Sequence, residues 1–183
     1  MELMTAGAAA SLLNVSLRAL DHLGKAGLLP PPQQVGRQKL YDANSVELLA
    51  ALPFVPKPYP PAYVVRVLSK AATLEPDRMF TGYSRGPYDP DLSAAQNATV
   101  RADALRGWWP CKNPLDQVGR PLVATLGGFV VEVYDIRDAS DQRNGRVRFG
   151  VRPPTSEQVE AFSGRRLKLT SGPVSLPIGP ESQ

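Results

Sequence analysis

Apolar positions recur at helical spacing near the start of the chain and alternate at strand spacing towards its end. Ala8, Ala9, Leu12 and Leu13 make one apolar stripe, with Thr5 placed to cap the helix that carries it. Asn14 suits the left-handed backbone of a tight turn, and Val15 can plug the core beneath that turn. Ser16 is placed to cap a second helix, whose buried side would hold Leu17, Leu20 and Leu23. Its opposite side carries Arg18, Asp21, His22 and Lys25, a polar and partly basic front. Pro30, Pro31 and Pro32 exclude helix. The run from Val35 to Tyr41 predicts a short hairpin turning at Gly36-Arg37, with Lys39 and Tyr41 on the returning strand. Asp42 or Asn44 then caps a third helix that packs Val46, Leu49 and Leu52 inward.

The pattern breaks at PFVPKPYPP, which cannot continue a helix and predicts an extended, semi-rigid linker. The chain therefore divides into a unit at 1–54, a linker at 55–61 and a second unit at 62–179. In the second unit Tyr63 to Leu68 fits a strand. A helix capped by Asp91 or Ser93 runs to about Leu105. Leu122–Leu126 and Phe129–Ile136 predict two strands joined at Gly127-Gly128. Asp138 to Asn144 reads as a loop, and Gly145 to Gly150 alternates as a further strand. A short helix at Ser156–Phe162 and strands at Arg166–Leu169 and Val174–Leu176 complete it. The fold class is α+β, with the second unit built on a small curved sheet or barrel.

Charge changes this picture in one respect. The net charge is +4, but residues 1–55 hold four basic and four acidic side chains. The first unit has no excess positive charge with which to hold phosphates, so dimerisation or the second unit must assist it. The apolar runs are too short for a membrane span, and MELMTAGAAASLL has no basic n-region. A cytoplasmic, nucleoid-associated protein with no membrane contact is expected.

Candidate chemistry is sparse. With a single cysteine, Cys111, and a single histidine, His22, neither a disulfide, a zinc site nor a Ser–His–Asp set is expected. Glycine loops of phosphate-cradling spacing are lacking, so no catalytic residue, metal or cofactor is assigned. Glu132 and Asp135, on one expected strand, are the carboxylates a metal-dependent nuclease would use, a reading no third acidic group supports. Tyr83, Arg85, Arg106, Trp108 and Trp109 could together line a pocket for a ligand or nucleic acid, although tryptophans in small domains more often pack in the core.

Two resemblances add to this reading. Ala9-Ala10-Ser11-Leu12-Leu13, Val15-Ser16, Arg18-Ala19-Leu20, Gly27-Leu28-Leu29-Pro30-Pro31, Gly36 and Lys39-Leu40-Tyr41, with Val46, keep an order and spacing over the first third of the chain. In that order they resemble the DNA-binding domain of MerR-type regulators and the related excisionase-like proteins. The resemblance implies a winged helix-turn-helix, in which Arg18, His22, Lys39 and Tyr41 touch DNA. With the polar neighbours Ser16, Lys25 and Arg37, these form the expected DNA-binding set. MerR-type regulators continue into a long dimerising helix, and here prolines stand in its place. Between Leu92 and Leu176, the runs RGWW, LVATLGGFVVEVYDI, GRVRFG and FSGRRL resemble a small PUA-like domain of bacterial nuclease and defence proteins.

The expected function is a non-enzymatic, sequence-specific DNA-binding transcriptional regulator, a repressor of bacterial, phage or mobile-element origin. Its partner is double-stranded DNA. Self-association through the second unit, or a small-molecule or nucleotide effector bound there, would complete it. The alternatives are an excisionase-type architectural factor that bends DNA and a defence-associated reader of modified nucleotides.

Overall fold

A computed structural model describes residues 2–180. It is a mixed α/β protein, with five α-helices among those residues and a nearly closed, barrel-like sheet of six strands. The α+β expectation holds at that level. No helix among the described residues is long and apolar enough to cross a membrane.

The first unit runs β1 (Leu3–Thr5), α1 (Ala6–Leu13), α2 (Leu17–Lys25), β2 (Gln33–Val35), β3 (Gln38–Asp42) and α3 (Ala43–Ala50). Its three strands form an antiparallel sheet in the order β1-β3-β2. Caps decide where the helices start. Thr5 accepts from the Ala8 N–H at 3.2 Å, Ser16 from Ala19 at 3.1 Å and Asp42 from Ser45 at 2.8 Å. Asn14 adopts the left-handed conformation that ends α1 (φ 54°). The buried stripe of α1 is Ala9, Ala10 and Leu13, shifted from the expected one. Leu12 and Leu17 are 46% and 61% exposed, so neither belongs to the core.

The second unit runs β4 (Ala62–Arg66), β5 (Ala71–Ala72), β6 (Phe80–Thr81), α4 (Ala94–Leu105), β7 (Trp109–Pro110), β8 (Pro121–Leu126), β9 (Phe129–Arg143), β10 (Arg146–Arg152), α5 (Ser156–Phe162) and β11 (Ser175–Ile178). The large sheet has the order β11-β4-β8-β9-β10-β7, with β4 and β8 parallel and the other neighbours antiparallel. Its two edges come together where the Ser175 hydroxyl on β11 donates to the Pro110 carbonyl on β7 at 2.8 Å. The central strand β8, PLVATL, is buried at every residue because both faces are covered. Tyr63, Val65, Leu122 and Ala124 face one core, and Ala62, Val64, Val123 and Val133 face another beside Phe162 of α5.

Two expectations for this unit change. Residues 138–143 are strand, not loop, because β9 continues to Arg143 and turns back at Asn144-Gly145. Register shifts around Gly150 absorb the polar stretch into the ladder. Residues 166–169 are not a strand: Arg166 makes only isolated bridges to Phe54 and Phe129.

The first of these cores extends into the N-terminal unit, from Ala9, Leu13 and Leu20 to Phe129 and Phe149. The proline-rich segment between the units is fastened to the second unit. Val55 is buried, and its N–H donates to the Arg166 carbonyl at 2.8 Å. Arg166 in turn reaches back across the junction. Its guanidinium donates to the carbonyls of Ala50 and Leu13, the last residues of α3 and α1.

Candidate nucleic-acid interface

The polar front of α2 divides between two environments. Asp21 faces the hairpin. Its carboxylate accepts from Lys25 at 2.7 Å, one turn further along the helix, and from Lys39 on β3 at 3.1 Å. The hydrogen bonds from Lys25 and Lys39 hold the Asp21 carboxyl below its ordinary pKa, and the same contact raises that of Lys39. Arg18 and Lys25 on the helix are exposed, as are Arg37 at the hairpin tip and Lys39. One carboxylate thus joins helix and hairpin through two of these four cations. The Ser16 hydroxyl is engaged as the cap of α2.

His22 points the other way, towards the loop that follows β4. Its Nδ1 lies 2.9 Å from the Ser69 hydroxyl and 3.4 Å from the Ser69 N–H. An amide N–H can only donate, so Nδ1 is the acceptor and the imidazole is neutral. Burial lowers the His22 pKa, and the charges of Lys25 and Arg18 lower it further against a smaller opposing effect of Asp21. Beside it, a Cβ added at Gly127 in the β8–β9 turn would touch Val15 at 3.4 Å and Ala19 at 3.7 Å. The Gly-Gly turn therefore does more than join two strands: its bare backbone is where α2 rests. Tyr41, expected to touch DNA, is only 4% exposed and packs in the core, which withdraws it from the contact set.

Of the five residues expected to line one pocket, Tyr83 and Arg85 share Arg101, whose guanidinium also donates to the Arg85 carbonyl at 3.5 Å, and the other three have contacts of their own. Tyr83 is buried under the Arg101 guanidinium, 5.8 Å from its ring centre, and Arg101 pairs with Glu132 at 3.5 Å. Arg85 is exposed, with its backbone N–H on the Ala26 carbonyl. Arg106 pairs with Asp103 at 2.7 Å. Trp108 lies between Arg143 and Arg148, at 5.0 and 5.3 Å. Trp109 packs against the core and donates its indole N–H to the Leu105 carbonyl at 2.8 Å. A shared aromatic wall is therefore not formed by these side chains. Gly107, just before the pair, is required by close approach: a Cβ there would lie 2.7 Å from the Arg148 Cα.

Glu132 and Asp135 also separate. They stand opposite Ala124 and Pro121 in an unbroken register, three residues apart and so on opposite faces. Glu132, its pKa raised by burial, meets Arg101. Asp135 accepts from Arg152 at 2.7 Å and Gln158 at 3.0 Å. They cannot share a metal ion.

A cleft of about 970 Å³ opens between the N-terminal end of α2 and the large sheet. Arg18, His22, Phe54, Arg66, Arg166 and Lys168 line it, and no Asp or Glu does. Apart from Arg18 and His22, none of these residues is assigned to a site by the sequence. They come from three distant segments that only the junction between the units brings together. No family model, curated protein or solved structure matches the chain.

Proposed function

We propose that the chain binds double-stranded DNA sequence-specifically as a transcriptional regulator, using a winged helix-turn-helix made of α1, α2 and the β2–β3 hairpin. The observation that carries this reading is the bridge from Asp21 to both Lys25 and Lys39, which makes helix and hairpin one cationic surface. In this reading Arg18, in the first turn of α2, reaches a base edge in the major groove. Leu17, exposed beside it, contacts a thymine methyl group. Lys25, Arg37 and Lys39 take backbone phosphates and set the register. His22 and Tyr41 serve the packing behind that surface.

The test is selection from a random duplex pool by the full chain. A shared sequence should emerge, and Arg18→Ala should relax preference at one position of it. Recovery of unrelated fragments by both proteins would refute sequence-specific reading.

A further inference from the structure

The cleft between α2 and the large sheet gathers cations that the fold leaves without counter-charges. Arg18, Arg66, Arg166 and Lys168 line it, and none has a carboxylate within ion-pair distance among the described residues. Among the described residues at least eight other Lys and Arg side chains do have such a partner, so surface pairing is a common arrangement in this chain.

Arg166 is the deepest of the four, at 8% exposed. Its guanidinium lies between Phe54 and Phe129, 4.9 and 4.5 Å from the ring centres. Two of its nitrogens donate to the C-terminal carbonyls of α1 and α3, whose partial negative charge makes burial of a cation tolerable. Its Nε is buried without a partner, as is that of Arg66. Four arginine Nε atoms are buried without partners among the described residues, and two of them belong to cations on this cleft. A bound anion would supply the counter-charge that these side chains lack.

The walls narrow the choice of anion. Phe54 is 51% exposed although one of its faces meets Arg166. Gly127 and Gly128 present backbone, and Thr170 and Ser171, both exposed, add hydroxyls. The volume lies in the range that encloses small organic ligands and far exceeds that of an inorganic ion. Cations, hydroxyls and an exposed ring together suit a phosphate carried on a planar group.

We propose that this cleft is a nucleotide site, with the phosphate on Arg66 and Lys168 and the base against Phe54. It does not depend on the DNA reading, since these three residues lie outside the α2–hairpin surface.

Calorimetric titration of the full chain with adenosine monophosphate, inorganic phosphate and a four-residue oligo(dT) tests it. Saturable binding of the monophosphate is expected, at least about tenfold tighter than inorganic phosphate. Lys168→Glu should weaken both, and Phe54→Ala should weaken the monophosphate alone. Arg166 is left intact because it also holds the units together, and thermal melting of each variant establishes that it folds. Oligo(dT) binding no tighter than the monophosphate supports a free nucleotide as ligand. Tighter oligo(dT) binding that is lost in both variants supports the same site occupied by a single strand. No saturable binding, equal affinity for phosphate and monophosphate, or affinities unchanged in Lys168→Glu would overturn the proposal. Failure of duplex selection together with intact monophosphate binding would refute the DNA reading and leave this site standing.

Discussion

His22 Nδ1 lies 2.9 Å from the Ser69 hydroxyl, so the middle of α2 is tied to the loop that follows β4. The folded state holds this imidazole neutral, with its pKa below the ordinary value of 6.5. The unfolded chain therefore takes up the proton more readily. The stabilisation is complete above pH 6.5 and is lost as pH falls towards the folded-state pKa. Urea midpoints between pH 7.5 and 5 should fall in the wild type and fall less in His22→Gln. Identical slopes for the two proteins would mean that His22 does not carry the effect.

Arg166 joins α1, α3 and the sheet through bonds that span 153 and 116 residues of sequence. Arg166→Ala would strand two carbonyls and remove the packing on Phe54 and Phe129. A loss of roughly 3 kcal/mol is expected in denaturant unfolding. Arg166→Lys should recover only part of it, because one ammonium lacks the planar fork that reaches both helix ends. A change under about 0.5 kcal/mol for Arg166→Ala would show that the two units need no such fastening.

Among the described residues, Asp21 is the only carboxylate bonded to the cations of the proposed DNA surface. Its two ion pairs are exposed, so Asp21→Asn should alter stability by less than about 1 kcal/mol. Duplex affinity should rise, and rise equally for cognate and scrambled sequences, because a charge repelling phosphate is gone. Lys39→Ala should do the opposite, flattening the dependence of log affinity on log salt by about one unit. Unchanged salt dependence in Lys39→Ala would remove the hairpin from the phosphate contacts.

Asp135 is 3% exposed, and burial alone would raise its pKa. Hydrogen bonds from Gln158 and Arg152 and the charge of Arg137 outweigh that and lower it. The resulting stabilisation is present above the unfolded-state value near 3.8 and disappears as pH falls below it. Asp135→Asn should lose stability at pH 7 and show a shallower acid limb, measured by thermal unfolding between pH 5 and 2.5.

The local structure was largely legible because caps and turns are local chemistry. Thr5, Ser16, Asn14 and Ser93 each mark a helix boundary that short-range hydrogen bonding decides. Gly127-Gly128 likewise marked its hairpin. The errors arose where neighbours distant in sequence decide. Leu17 looked buried by spacing, yet α2 meets the core through Leu20 and Leu23. The polar run 138–143 looked like a loop, yet β10 pairs with it. Tyr83, Arg106 and the tryptophans were grouped by proximity in sequence, whereas the fold gives each its own partners. The cleft was invisible for the same reason: Arg66, Phe54 and Arg166 meet only because the second unit docks on α2.

The central claim is that α2 and its hairpin read a duplex sequence. Its most direct measurement is the affinity of the full chain for a selected duplex and for its scrambled counterpart, at about 0.15 M ionic strength. The wild type should prefer the selected duplex, and Arg18→Ala should lose about 1–3 kcal/mol on it with little change on the scrambled one. Equal affinity of the wild type for the two duplexes, or an Arg18→Ala protein that discriminates as well as the wild type, would contradict that claim.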